Sequence, residues 1–337
     1  MPATSLTRLQ QAFVLGAGLG TRLKRLTQSR PKPLVPLANR PLITAAFDHL
    51  AREAGVSHVI VNTHHLADQY ARFFPSPEYQ PAGGESLFGQ AATALPPLRL
   101  TFRHEPELLE TGGGIRNIED LLETDDFILY NGDICATLPL QPAIREHFDS
   151  GREVTLILRT HGGPLHVAFD AEGTRDGYST GRVGDIRGLH AERPGTHLFT
   201  GIYLLHSRFL RRLPGGRASI IPTFLAMLRE GVEIGAITID DGLWLDLGTR
   251  DQYLTAHRIL AETKGGAPWI HPEAQIAPDA IITGASAIGA GSRIRPGATL
   301  HDTVLWENAE VGPGSHLIRC IVTDRQHIAG SHVDLDL

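Results

Sequence analysis

Between Ile270 and Leu300 an aliphatic residue returns at every sixth position: Ile270, Ile276, Ile282, Ile288, Ile294 and Leu300. An α-helix repeats its buried face every 3.6 residues and a strand every two, so neither sustains a six-residue period. One short strand and one corner per hexapeptide does, and stacked hexapeptides build a β-helix. The corners are written into the sequence as well, in Ile270-His271-Pro272, Ile276-Ala277-Pro278 and Ile294-Arg295-Pro296-Gly297. Further on the period slips through Leu305, Val311, Leu317, Val322, Ile328 and Val333, with occasional five-residue steps. At three hexapeptides per coil, residues 270–333 amount to three to four coils. A sandwich of short strands is the alternative, and six consecutive matches to one period weigh against it.

Upstream the pattern obeys a different rule. Apolar runs at Ala12–Leu15, His58–Asn62, Leu98–Phe102, Phe127–Tyr130, Val154–Leu158, Leu198–Leu205 and Glu233–Ile239 read as strands. Helical patterns fall between them, at about 66–74, 114–123, 141–149, 219–230 and 250–262, with another opened by Pro41 and closed by Gly55. Strands alternating with helices predict an α/β domain on a mixed, mainly parallel sheet. Residues 75–86 are rich in turn formers without periodicity and read as a surface loop. The expected organisation is an α/β domain over 1–262, a linker over 263–268 and the β-helix over 269–337. A formal charge of −6 argues against a nucleic-acid or anionic-membrane binder, whose footprint is basic. No apolar run approaches the ~18 residues of a membrane span, and no export signal is read at the start. Cys135 and Cys320 fit no disulfide framework or metal pattern, so a reduced, cytoplasmic protein is expected.

The chemistry is concentrated after the first strand. Gly16-Ala17-Gly18-Leu19-Gly20-Thr21-Arg22-Leu23 is followed by Pro31-Lys32-Pro33-Leu34. Glycines let successive backbone N–H groups turn toward one anion, a nest that suits a polyphosphate. Arg22 offers a planar fork to phosphate oxygens, and Lys32 a movable point charge. A P-loop needs Gly-Lys-Ser/Thr at its end, where this chain has Gly20-Thr21-Arg22. A dinucleotide fingerprint needs Gly or Ala at 21 and an acid ending the second strand, where Thr21 and Asn62 stand. Taken alone, the glycines leave a plain turn without a ligand open.

Those residues, with Pro41-Leu42-Ile43, resemble the signature of the nucleoside-diphosphate-sugar pyrophosphorylases, the sugar-1-phosphate nucleotidylyltransferases. The resemblance continues through Glu110-Thr111-Gly112-Gly113-Gly114-Ile115, Asn131-Gly132-Asp133-Ile134, Phe199-Thr200-Gly201-Ile202 and Trp244-Leu245-Asp246-Leu247-Gly248-Thr249, and covers residues 12–262. The repeat tail is similar to the left-handed β-helix of mannose-1-phosphate guanylyltransferase-like members, and the Glu-Thr-Gly-Gly-Gly loop resembles the N-acetylmuramate-1-phosphate uridylyltransferase and heptose-1-phosphate guanylyltransferase branches. A departure is Gly16, where the commoner pattern has Ala; the exchange is small and is expected to be tolerated.

The resemblance implies a Rossmann-like nucleotidyltransferase domain that joins a sugar 1-phosphate to a nucleoside triphosphate, GTP or UTP favoured, and releases pyrophosphate. It places Leu15, Gly16, Ala17, Gly18, Gly20, Thr21, Arg22, Lys32, Thr111, Gly112, Gly113 and Asp133 at the nucleotide. Gly132, Glu192, Arg193, Thr200 and Gly201 fall to the sugar, with Arg22, Lys32 and Asp133 catalytic. Asp133 and Asp246 each end a short apolar stretch and fit Mg²⁺, which takes one or two carboxylates plus substrate phosphates. A non-catalytic regulatory subunit and a bifunctional enzyme with acyl transfer in the β-helix are the rival readings, and a homo-oligomer through that tail is a further expectation. His64, His65 and Cys135 are set aside as structural.

Overall fold

A computed structural model describes residues 9–82, 95–186 and 193–337. They group into two compact units: one joins the chain up to Leu19 with Ile43–Pro81 and Leu95–Leu245, the other joins Gly20–Leu42 with Asp246–Leu337.

The first unit is built on a sheet of ten strands among the described residues. In chain order these are β1 (Gln11–Leu15), β2 (His58–Thr63), β3 (Glu78–Tyr79), β4 (Leu98–His104), β5 (Asp126–Asn131), β6 (Val154–Arg159), β7 (Val167–Arg175), β8 (Tyr178–Ile186), β9 (Leu198–His206) and β10 (Gly235–Thr238). Their spatial order is β7-β8-β10-β6-β9-β5-β1-β2-β4-β3. Strand β1 runs parallel to both β2 and β5, and β9 runs antiparallel between β5 and β6, so the sheet is mixed and mainly parallel at its centre. Central strands buried on both faces read as continuous apolar runs; Phe13, Val14, Val59, Ile60, Val61 and Phe127 through Tyr130 are all inaccessible to solvent. Helix α1 (Ile43–His49) continues through a π turn at Leu50–Ala54 and stops at Gly55, whose φ of 66° is the left-handed cap. Helices α2 (Asp68–Phe73), α3 (Glu110–Arg116), α4 (Gln141–Ser150) and α5 (Ile221–Arg229) follow. Within the stretch expected as a loop over 75–86, β3 adds an edge strand, and residues 83–86 lie outside the described ones.

The second unit holds the residues from Gly20 to Leu42, helix α6 (Arg250–Thr263) and the repeats. Three parallel four-stranded sheets form the β-helix. Trp269 pairs with Ala287, Ala287 with Val304 and Val304 with Ile321, so one coil of 18 residues is followed by coils of 17. The first five-residue step, from Leu300 to Leu305, falls at a tightened corner. At the shortened corner Asp302 adopts a φ of 48°, and its carboxylate accepts the Ala285 N–H of the coil before at 2.7 Å, which closes the turn with one residue fewer. Ile288, Ile294, Leu300, Leu305, Val311, Leu317 and Val322 fill the interior. Both cysteines are buried and unbridged, and among the described residues no helix is long and apolar enough to cross a membrane.

Candidate functional site

Open α/β sheets bind ligands outside the carboxyl ends of their strands. In the first unit, β1, β2 and β5 end side by side at Leu15, Thr63 and Asn131, with the glycine loop leaving β1 and Asp133 two residues past β5.

Two glycines of that loop do opposite things. Gly16 is wedged into the protein: its N–H donates to Asn62 Oδ1 at 2.8 Å, and its carbonyl accepts from Tyr70 Oη at 2.9 Å. A Cβ there would lie 2.6 Å from the Asn62 carbonyl oxygen and 2.8 Å from Val61 Cγ1. In this backbone an alanine at position 16 would require a shift. The Ala17 N–H also turns toward Asn62 Oδ1, at 3.4 Å. Gly18 is exposed, has no positive φ, and a Cβ on it would meet nothing within 4 Å. Packing and backbone geometry make no demand for glycine there.

Asn62 and Glu105, which the sequence pattern does not single out, support the glycine loop. From Asn62 a second bond runs inward, Nδ2 donating to Glu105 Oε1 at 2.7 Å. Glu105 is inaccessible to solvent, and its Oε2 accepts the Leu109 N–H at 3.0 Å just before α3. The glycine loop is thereby tied to Glu110-Thr111-Gly112-Gly113. The signal for Asn62 was a polar residue closing an apolar strand, read only as the absence of an acid; nothing local marks Glu105. The sequence reading also places a loop at Glu110–Gly114 and the helix from about 115, whereas α3 already contains the glycines. Their low helix propensity is overridden by packing: a Cβ on Gly113 would sit 2.2 Å from the Gly216 carbonyl oxygen, and one on Gly114 3.0 Å from both Asn62 Nδ2 and Glu105 Oε1. Gly112 is buried and Thr111 half-buried.

Asp133 is half-buried beyond Gly132, whose N–H donates to the Leu15 carbonyl at 3.0 Å and locks the turn against β1. Just upstream, Tyr130 Oη donates to His49 Nδ1 at 3.0 Å, and His49 Nε2 donates to the Leu138 carbonyl at 2.8 Å. Burial lowers the His49 pKa to about 4, so the ring is neutral at pH 7. It braces the chain on both sides of Asp133. Thr200 is buried, its hydroxyl donating to the Ile157 carbonyl at 2.7 Å while its own carbonyl accepts from Trp244 Nε1 at 2.9 Å; Gly201 follows it, buried, in β9. Arg193 is exposed and pairs with Asp170, which holds that carboxyl below the usual carboxylate range. Glu192 lies outside the described residues. His64 Nδ1 bonds the Glu105 carbonyl at 2.8 Å, a structural role.

In the second unit Gly20 precedes a 3-10 turn over Thr21–Thr27, with Thr21 and Arg22 exposed. Lys32 opens another at Lys32–Leu34 and is buried; a Cβ on Gly20 would lie 2.9 Å from Lys32 Cβ, so the two halves of the loop touch. The Arg22 guanidinium lies over Gly248, where a Cβ would come within 2.7 Å of its Cζ, and it faces Asp246 at 4.0 Å. With Arg22 61% exposed, that pair is worth about 0–1 kcal/mol and opens readily to another anion. Asp133 and Asp246 are hard oxygen donors of the kind Mg²⁺ takes. Asp133 belongs to the first unit and Asp246 to the second, and among the described residues no group of three or more His, Cys, Asp or Glu could hold a metal ion.

Known proteins are similar to this chain over most of its length. A mannose-1-phosphate guanylyltransferase of Mycobacterium tuberculosis is 28% identical over 319 residues, spanning 91% of this chain and 83% of that protein. A UTP–glucose-1-phosphate uridylyltransferase of Synechocystis sp. is 24% identical, spanning 97% and 90%. Among solved structures, a UDP-glucose pyrophosphorylase from Acinetobacter baumanii superposes with a TM-score of 0.58 at 19% identity, over 74% of this chain and 92% of its own, which shows the fold. The nucleotidyl transferase family profile matches residues 11–263, three quarters of the chain. The protein belongs to the nucleotidyl transferase family.

Proposed function

We propose that this protein is a sugar-1-phosphate nucleotidyltransferase that joins a sugar 1-phosphate to GTP or UTP and releases pyrophosphate. The observation that carries the reading is Gly18, open and unstrained in a loop whose other anchor, Gly16, is fastened from below by Asn62 and Tyr70. Such a loop is pre-set for a polyphosphate to lie against its backbone. The relatives named above divide between guanylyl and uridylyl transfer, which supports both bases.

In the proposed reaction an oxygen of the sugar phosphate attacks the α-phosphorus, a new O–P bond forms, and the bond from the α-phosphorus to the bridging oxygen breaks. The second pKa of a phosphate monoester is near 6, so the nucleophile is already anionic at pH 7 and no general base is required. Catalysis is then positioning and neutralisation of charge. Arg22 binds the β- and γ-phosphates, exchanging its loose contact with Asp246 for them. Lys32, buried and held on both sides by proline, meets the α-phosphate. The half-buried Asp133 and Asp246 would hold Mg²⁺, which when bound supplies charge neutralisation at the phosphates. Gly132 and Gly201 present backbone to the sugar.

Pyrophosphate release with Mg²⁺ is to be measured over mannose, glucose, N-acetylmuramate and heptose 1-phosphates against UTP, GTP, dTTP and ATP. One strong combination with GTP or UTP is the expected result. Turnover confined to dTTP or ATP overturns the choice of base, and an empty grid with nucleotide sugars still bound favours a regulatory subunit.

A further inference from the structure

The segment that carries Arg22 and Lys32 has little regular structure of its own. Between Gly20 and Leu42 it forms two 3-10 turns and a two-residue hairpin, Pro36–Leu37 against Arg40–Pro41. Its position is set by contacts to residues more than two hundred places away in the same compact unit. Arg30 Nη1 and Nη2 donate to Glu307 Oε1 and Oε2 at 3.1 and 2.7 Å, a bidentate fork. Asp324 lies 3.7 Å from the same guanidinium, which stacks 4.7 Å above the ring centre of Trp306 and is 7% exposed. Trp306 is fully buried, and its Nε1 donates to Tyr253 Oη at 3.3 Å, which in turn donates to the Pro36 carbonyl. Beyond Lys32 the Ala38 N–H donates to His257 Nε2 at 3.2 Å, and Asn39 Nδ2 donates to the carbonyls of Trp269 and Ile288 at 3.2 and 2.9 Å.

Anchors at residues 30, 36, 38 and 39 thus bracket Lys32. Tyr253 and His257 belong to α6; the other partners lie in the repeats. A buried fork over an indole face is a demanding contact that a surface appendage does not need. It lies two residues from the lysine assigned to the α-phosphate.

We propose that the β-helix is a positioning element of the nucleotidyl transfer site, with Glu307 and Trp306 of its third coil setting Lys32 through Arg30. The proposal rests on the role given to Lys32 above. Glu307 touches no substrate and acts through the loop.

The test is a double-mutant cycle in the full chain, with Glu307→Gln, Lys32→Ala and both, and with Glu310→Gln as the control on the same coil. Glu310 makes a half-exposed pair with Arg295 and is expected to leave turnover unchanged. Glu307→Gln is expected to lower kcat about 10–100-fold, the scale of a small misplacement of a reacting group. In the Lys32→Ala background the same change should alter kcat less than about twofold, because the group being positioned is gone. Equal losses in both backgrounds, or wild-type kcat in Glu307→Gln, overturn the proposal. If Glu307→Gln does not fold, Arg30→Lys replaces it in the cycle, keeping the charge and losing the fork, with the same outcomes. Lys32→Ala with wild-type turnover refutes the role of Lys32 itself, an outcome distinct from an inactive Lys32→Ala beside a fully active Glu307→Gln.

Discussion

Gly16 and Gly18 stand two residues apart, and alanine at each is expected to fail in a different way. At Gly16 the new methyl would lie 2.6 Å from a backbone oxygen, 2.8 Å from Val61 Cγ1 and 3.0 Å from Tyr70 Oη. Overpacking of this kind costs about 1–3 kcal/mol, and displacing the residue weakens its bonds to Asn62 and Tyr70, about 0.5–1.5 kcal/mol each. A loss near 3 kcal/mol lowers the melting point of a unit this size by roughly 6–12 °C. Gly18→Ala meets no atom within 4 Å and no conformational barrier. Its melting point should hold or rise slightly, since alanine removes about 0.4–1 kcal/mol of unfolded-state freedom. Its methyl stands where the polyphosphate is proposed to approach, so kcat/KM should fall about 10²-fold. Differential scanning calorimetry and pyrophosphate release on the two variants give four numbers. Wild-type kcat/KM in Gly18→Ala would refute the assignment of the open face to the substrate, and an unchanged melting point in Gly16→Ala would refute the packing argument.

Further consequences can be checked on the same protein. Lys32→Ala and Asp133→Asn should each lower kcat by about 10²–10³ while circular dichroism stays that of the wild type; near-normal turnover in either removes that residue from the mechanism. Burial holds His49 and His257 at about 4 against an ordinary 6.5. The unfolded chain therefore binds protons that the folded one refuses, and stability is lost as pH falls from 6.5 toward 4. Between pH 7 and pH 5 each ring contributes a loss of about 2 kcal/mol, and urea melts of His257→Gln should show a shallower pH dependence than the wild type. Glu105→Ala leaves Asn62 Nδ2 and the Leu109 N–H without their buried acceptor, a loss of about 1–3 kcal/mol for each group, and a melting point within 2 °C of wild type would contradict the tie between the two loops.

What was legible in the sequence was local. The six-residue period names its fold because every repeat meets the same neighbour, and even the slip near Asp302 was visible before its cause, a corner closed by one residue fewer. The central strands announced themselves because burial on both faces leaves only apolar residues. The β7–β8 hairpin escaped notice although Asp176-Gly177 lies at its turn with both φ values positive, the requirement of a tight hairpin loop; its strands alternate with polar residues too exposed to stand out as a buried run. Asn62 and Glu105 matter through what they touch across 43 residues, and Gly113 through a backbone that returns at Gly216. Spacing and propensity carry no trace of such pairs. The Arg30–Glu307 fork reaches still further, across 277 residues.

That separation also has a meaning for how the chain is made. A ribosome adding roughly 5–20 residues per second needs about 14–55 s to travel from Arg30 to Glu307. Through that interval the segment with Arg22 and Lys32 has emerged but its seat does not exist. The nascent protein can pair β1 with β2 and β5 long before it can seat Lys32, so the placement of that segment waits until the third coil closes.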